Sequence, residues 1–202
     1  MIAIVDYGVG NLFSLCSSFE AIGAEAVVTS DPEVIKGSEK ILLPGVGAFE
    51  DARQKLLSSG LDKVVCEAAA EGKKLMGICL GMQMLFEKSY EYGEHEGLGL
   101  LRGSVVGMEG RLPAGLKIPH IGWNALHIRG THPIFKYVKE GDFVYFVHSY
   151  YAEGCEGSLL ASCEYGNEIC AAVALGNVCG TQFHPEKSGD VGLSILRAFA
   201  EW

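Results

Sequence analysis

One stretch, Lys74 to Gln83, constrains this chain more than any other. Leu75 to Ile78 is a short apolar run that reads as a buried strand. Gly77-Ile78-Cys79-Leu80-Gly81 then turns sharply, and Met82 to Lys88 has helical spacing with Met82, Leu85 and Phe86 on one apolar stripe. A strand, a tight turn carrying one polar side chain and a helix define a nucleophile elbow, here with cysteine at its apex. The turn crowds its surroundings, and the two flanking glycines, lacking Cβ, let backbone approach backbone. Free N–H groups at the start of the helix favour the thiolate, the reactive form of Cys79. By itself Cys79 equally fits a buried packing cysteine. A nucleophile also needs a base and a group that orients the base.

Phe183-His184-Pro185-Glu186 fits both; taken alone it reads equally as an exposed turn with an incidental His and Glu, and the Cys79 elbow in the same chain tips the balance to catalysis. The segment ends a predicted strand, and the carboxyl ends of strands are where open α/β sheets place their sites. In an extended segment, Glu186 falls on the same side as His184 and can hold one ring nitrogen, with Pro185 stiffening the link. The remaining histidines give weaker signals. His95 lies in a polar Gly/Glu loop and reads as solvated, and His127 and His132 flank a turn without obvious partners. His120 and His148 fit structural, partner-binding or catalytic roles alike. Donors for a tetrahedral oxyanion are expected from the Leu80 N–H and from Pro44-Gly45-Val46-Gly47, whose glycines let N–H groups point into a site.

The rest of the chain alternates. Strands are expected at Ile2–Val5, Glu25–Thr29 and Lys40–Leu43, and helices at Leu12–Ile22, at about 48–58 and at 61–71. Gly23 reads as a helix stop and Asp31-Pro32 as a helix start. Continuous apolar strands between helices predict an open, mostly parallel, flavodoxin-like α/β sheet with helices on both faces. After Lys88 the texture changes. Gly97–Met108 carries a Val-Val strand core, and Lys117–Asn124 reads as an ordered loop. Strand patterns at 143–152, 159–164, 169–175 and 178–183, joined by turns such as Gly166-Asn167 and Gly176-Asn177, predict antiparallel additions. Val191–Trp202 reads as a closing amphipathic helix. Gly8-x-Gly10 is not a dinucleotide fingerprint, because Phe13 occupies the third glycine position.

With 202 residues, one domain spanning 1–202 is expected. A net charge of −9 argues against nucleic acid or an anionic membrane as partner. The N-terminus reads as a first strand rather than a signal peptide, and no apolar run approaches membrane-spanning length. The seven cysteines show no C-x-x-C pairing and no metal-ligand spacing, so no metal is expected; no cofactor is expected either, and reduced thiols in the cytoplasm are the default.

Gly77-Ile-Cys-Leu-Gly-Met-Gln83 followed by His184-Pro-Glu186 resembles the class I (triad) glutamine amidotransferases, and the resemblance runs over essentially the whole chain. It implies hydrolysis of the side-chain amide of glutamine and delivery of ammonia to a synthase. Asp6-Tyr-Gly-Val-Gly-Asn11, Leu43-Pro-Gly-Val-Gly-Ala-Phe49, Pro119-His-Ile-Gly-Trp-Asn124, Tyr145-Phe-Val-His-Ser-Tyr150 and His184-Pro-Glu-Lys-Ser188 are similar to family members that feed a cyclase subunit in histidine biosynthesis. That likeness implies a heterodimer with a cyclase of (β/α)8 fold.

The resemblance also implies roles. Cys79 is the nucleophile that forms a γ-glutamyl thioester, His184 the general base and acid, and Glu186 its orienter. Leu80 and a flipped peptide at Val46 form the oxyanion hole. Gly45, Gly47, Gln83, Ser149 and Tyr150 hold glutamine. Asn11, Trp123, Tyr145 and Lys187 meet the partner; without the resemblance, the two aromatics read as ordinary packing and Lys187 as a solvated charge. Two other readings stand beside this one: a glutaminase serving another synthase, or a stand-alone Cys-elbow hydrolase. A non-enzymatic subunit is disfavoured by the intact Cys79, His184 and Glu186.

Overall fold

A computed structural model describes all residues, 1–202. The chain opens with β1 (Ile2–Val5), α1 (Leu12–Ala21), β2 (Ala26–Thr29), α2 (Pro32–Gly37) and β3 (Lys40–Leu43). α3 (Phe49–Ser58), α4 (Leu61–Ala70), β4 (Lys74–Ile78) and α5 (Leu80–Met84) follow. The local signals act as their chemistry dictates. Asp31 caps α2 by accepting the Glu33 N–H at 2.9 Å, with Pro32 in the first turn. Gly23, at φ +71°, closes α1 by donating to the Glu20 carbonyl.

Beyond α5 the chain is largely β: β5 (Phe86–Ser89), β6 (His95–Glu96), β7 (Leu101–Gly107), β8 (His120–Ala125), β9 (His127–Ile128), β10 (Phe143–His148), β11 (Tyr150–Glu153), β12 (Leu159–Tyr165), β13 (Asn167–Leu175) and β14 (Val178–Thr181), before α6 (Gly189–Glu201). The main sheet has eight strands in the order β2-β1-β3-β4-β14-β13-β12-β9. The run from β2 to β14 is parallel, and β13, β12 and β9 extend it antiparallel. This is the expected α/β sheet with its antiparallel extension. Alternate residues feed separate cores. Ile2, Ile4, Leu42, Met76 and Ile78 pack on one face, and Ala3, Val5, Ile41, Leu43 and Leu75 on the other. Burying a single Leu or Ile contributes roughly 1.5–3 kcal/mol, so both faces need helices over them.

Three local expectations are corrected. The helix expected over Met82–Lys88 is the five-residue α5, and Phe86–Ser89 forms a strand beside β7. The Met84 carbonyl accepts from Leu98, and the Leu85 carbonyl from Leu100 and Leu101. These long-range bonds use carbonyls that a longer helix would need, so tertiary pairing overrides the periodic pattern. The loop expected over Lys117–Asn124 contains β8, which pairs antiparallel with β10, Trp123 opposite Tyr145. The single strand expected over 143–152 is two strands broken at Ser149, one in the β8–β10 ribbon and one beside β7. No helix is long and apolar enough to cross a membrane.

Candidate active site

β4 delivers the elbow to the carboxyl edge of the sheet. Cys79 sits at φ 54°, ψ −112°, a left-handed conformation that a residue with a Cβ rarely adopts. The Cys79 N–H donates to the Thr181 carbonyl at 2.7 Å, and its carbonyl accepts from Gln83, so the strained residue is fixed on both sides. The glycines permit this. A Cβ on Gly81 would lie 1.9 Å from the Leu43 carbonyl oxygen, and one on Gly45 would lie 2.6 Å from the Gly81 nitrogen. The loop after β3 therefore lies backbone to backbone on the elbow. Leu80 is the first residue of α5, and its N–H has no acceptor within the helix.

β14 leads to His184. His184 follows β14 in extended conformation, and Pro185–Lys187 then form a 3-10 turn. The carboxylate thus arrives through this turn rather than along a continuing strand. Glu186 Oε1 lies 2.8 Å from His184 Nδ1, and both side chains are almost fully buried. Burial alone would push the His184 imidazole down, but hydrogen bonds to Cys79 and to Glu186 overcome it and raise it to about 9. With Nδ1 held by Glu186, Nε2 is the nitrogen left for the sulfur. At neutral pH the arrangement is an imidazolium between two acceptors. Glu186 Oε2 is buried without a partner, so the imidazolium is this carboxylate's main compensation.

A cavity of about 640 Å³ opens over these groups, lined by Val46, Gly47, Cys79, Leu80, Gln83, Ser149, Tyr150, His184 and Lys187 among others. Most of the residues singled out in the sequence thus meet in one place. Gly45 is packed under the elbow, and Asn11 instead caps α1, its Oδ1 3.4 Å from the Ser14 nitrogen. Trp123 and Tyr145 stand edge to face on the β8–β10 ribbon, with ring centroids 6.1 Å apart. With Ile121 and Phe143 also exposed, the ribbon presents an apolar outer surface.

Several residues of the site were not singled out beforehand. Gln182 is fully buried, with its Nε2 3.7 Å from Cys79 Sγ. Glu91 lines the cavity and accepts the Phe49 N–H at 2.7 Å, while burial raises its carboxyl. Tyr7 donates to the Pro44 carbonyl at 2.6 Å and pins the start of the Pro44–Gly47 loop. Ser188 bridges Tyr145 and His184. For Gln182 one signal is present, its place two residues before His184 on an emerging strand, and Tyr7 and Ser188 lie inside the Asp6–Asn11 and His184–Ser188 stretches; for Glu91 there is none.

The remaining histidines have structural partners. His120 and His148 form a buried pair, Nδ1 to Nε2, at 3.1 Å. Burial pushes them down, to about 4 and about 3 respectively, so both are neutral. His127 lies 3.0 Å from Glu140, and His132 packs edge-on against Trp202. His95, expected in solvent, is tucked against Phe49. All seven cysteines are free, and burial pushes Cys163 up to about 12, leaving it an inert packing thiol.

A cysteine on an elbow, a charged imidazole against it, a buried carboxylate behind and a roomy cavity in front are the parts of acyl transfer through a thioester. The sequence from residue 3 to residue 201 matches the family Glutamine amidotransferase class-I, and the chain belongs to that family. Imidazole glycerol phosphate synthase subunit HisH of Bacillus licheniformis is 51% identical, with 100% of this chain and 96% of that protein aligned. The protein of the same name from Caldanaerobacter subterraneus is 50% identical, covering 100% and 98%. Among solved structures, a glutamine amidotransferase superposes with a TM-score of 0.77 over 100% of this chain and 98% of that one. At 22% identity that likeness bears on the fold alone.

Proposed function

We propose that this chain, acting as one amidotransferase domain over 1–202, is the glutaminase subunit of an imidazole glycerol phosphate synthase. It hydrolyses glutamine and passes ammonia to a cyclase subunit that makes imidazole glycerol phosphate and aminoimidazole carboxamide ribonucleotide in histidine biosynthesis. The observation that carries the chemistry is the strained Cys79 held against a His184 imidazole that Glu186 anchors at 2.8 Å.

The Cys79 thiolate attacks the carboxamide carbon, and the carbonyl π electrons move to oxygen. The Leu80 N–H and the Val46 N–H, once turned inward, receive that charge; one such donor contributes roughly 3–4 kcal/mol to the transition state. The His184 imidazolium gives its proton to the departing ammonia as the C–N bond breaks, leaving a γ-glutamyl thioester. Neutral His184 then takes a proton from water, hydroxide adds to the thioester, and the C–S bond breaks to return the thiolate and release glutamate. Glu186 holds the ring in one tautomer throughout.

Glutamine sits between Gly47, Ser149 and Tyr150. Gln83 spends both amide N–H groups inside the protein, at 3.0 Å on the Tyr150 carbonyl and 3.0 Å on Gln182 Oε1. Its Oε1 and the carboxylate of Glu91 suit the α-ammonium of the substrate. The loop that carries Val46 is anchored through Gly45, so a peptide flip is confined to Val46-Gly47. Gly47, at φ +93°, has the backbone freedom the flip requires. The apolar β8–β10 ribbon, with Trp123 and Tyr145, together with Asn11 and Lys187, forms the docking face for a (β/α)8 cyclase. Seven free thiols suit the cytoplasm.

The test measures glutamate released from glutamine by the chain together with its cyclase, for wild type and Cys79→Ala. Turnover that depends on Cys79 and copurification with the cyclase support the reading. Hydrolysis of some other amide but not of glutamine would favour a stand-alone hydrolase.

A further inference from the structure

We propose that Gln182 is a further catalytic residue of this site, donating an amide N–H to the sulfur of Cys79 whenever that sulfur carries negative charge. The proposal rests on Cys79 being the nucleophile. Gln182 has no exposure, and its Nε2 lies 3.7 Å from Cys79 Sγ, a normal separation for an N–H donor and a large sulfur acceptor.

The surrounding hydrogen bonds dictate which end of the amide faces the sulfur. The Tyr150 carbonyl only accepts, so the Gln83 atom 3.0 Å from it is the amino group. The same amino group lies 3.0 Å from Gln182, which must therefore present its oxygen there. The Gln182 amino group is left to face Cys79. The network continues behind Tyr150. His148 Nδ1, 2.8 Å from the same carbonyl, carries a proton, so its Nε2 accepts from His120 Nδ1 at 3.1 Å. Each donor along this path has one acceptor, and Gln182 has no freedom to flip without setting its amino group against that of Gln83 and its oxygen against the sulfur.

A buried amide would be a costly neighbour for a neutral thiol, which is a weak acceptor. Against a thiolate the same N–H makes a charge-assisted bond, strengthened by the low dielectric around it. His184 supplies a movable proton on one side of the sulfur; Gln182 supplies a fixed donor on another. During acylation the sulfur's electron pair forms the C–S bond, and the N–H loses its charged acceptor. When the thioester breaks down, the C–S electron pair returns to sulfur, and the N–H is already in place to receive it. Gln182 thus favours both the resting thiolate and its departure.

The experiment follows alkylation of Cys79 in the full chain by iodoacetamide from pH 6 to 10, with the modified peptide quantified by mass spectrometry. Gln182→Leu is expected to slow alkylation at pH 7 about tenfold and to move the rise of the profile about one pH unit upward, converging with wild type at high pH. Glutaminase kcat falls about tenfold or more with KM changed less than about twofold. Gln182→Glu keeps the shape but places an acceptor beside the sulfur, and shifts the profile further; it serves as the second variant if the leucine chain does not fold. A wild-type alkylation profile in either folded variant overturns the proposal. Because iodoacetamide needs no glutamine site, failure of wild type to hydrolyse glutamine would instead count against the function above.

Discussion

The backbone N–H of His184 donates to the carbonyl of Tyr145 at 3.0 Å. Ser188 closes this link, accepting the Tyr145 N–H at 2.9 Å and donating its hydroxyl to the His184 carbonyl at 2.7 Å. The ring of Tyr145 meets Trp123 on the exposed ribbon. The strand that presents the apolar ribbon is thus the strand that holds His184, so the proposed docking face and the proposed base share one element.

Ser188→Ala removes both hydroxyl bonds and leaves the half-buried Tyr145 N–H without its partner. The expected cost is about 2 kcal/mol, seen as a fall of several degrees in the thermal midpoint. Because the lost bonds position His184 rather than the substrate, kcat drops while KM for glutamine stays near wild type. Steady-state kinetics beside thermal melts check both.

The conformation of Cys79 predicts a trade of activity against stability. Glycine adopts φ 54° without strain, whereas alanine does not. Cys79→Gly and Cys79→Ala are both expected to be inactive, with the glycine variant more stable than the alanine one by about 1–2 kcal/mol in denaturant titrations. Equal stabilities would show that the elbow stores no strain.

Stability should depend on pH at both ends. His184 is raised to about 9, so its contribution is fully present below the unfolded value near 6.5 and is lost as pH rises through 9. His120 and His148 are depressed, to about 4 and about 3. Below 6.5 the unfolded chain takes up protons that the folded chain refuses, so stability falls from 6.5 downward. Urea unfolding from pH 4 to 10 tests this, and Cys79→Ala should weaken the alkaline limb by removing one of the bonds that raise His184.

Trp123→Ala tests the ribbon as a docking face. An exposed aromatic at the centre of an interface typically contributes 2 kcal/mol or more, about thirtyfold in affinity. Calorimetry with the cyclase should show that loss, while Cys79 alkylation and the thermal midpoint of the isolated chain stay unchanged.

The Val46-Gly47 flip proposed above gives the partner a way to hold glutaminase activity off until its own ligand binds, and Gly47 tests this gating. Gly47→Ala meets no neighbouring atom but is strained at φ +93°. Glutaminase activity with and without the cyclase and its ribonucleotide ligand should respond strongly to the ligand in wild type. In the alanine variant that response should be lost, because the loop can no longer exchange conformations freely.

The sequence by itself determined the elbow, the His184–Glu186 pair and the alternating β and α units, because each depends on neighbours in the chain. Gly77, Cys79 and Gly81 share one turn; His184 and Glu186 are two residues apart; an apolar run between helices makes a buried strand wherever it sits. The tertiary structure alone decided what depends on distant partners. Phe86–Ser89 has helical spacing yet pairs with β7, and His120–Ala125 becomes a strand only because β10 lies alongside. Gln182 looks like any polar residue on a strand until folding brings it to Cys79, 103 positions earlier. Local patterns record a backbone's own preferences, whereas a hydrogen bond across the sheet depends on where a partner is delivered, and only packing sets that.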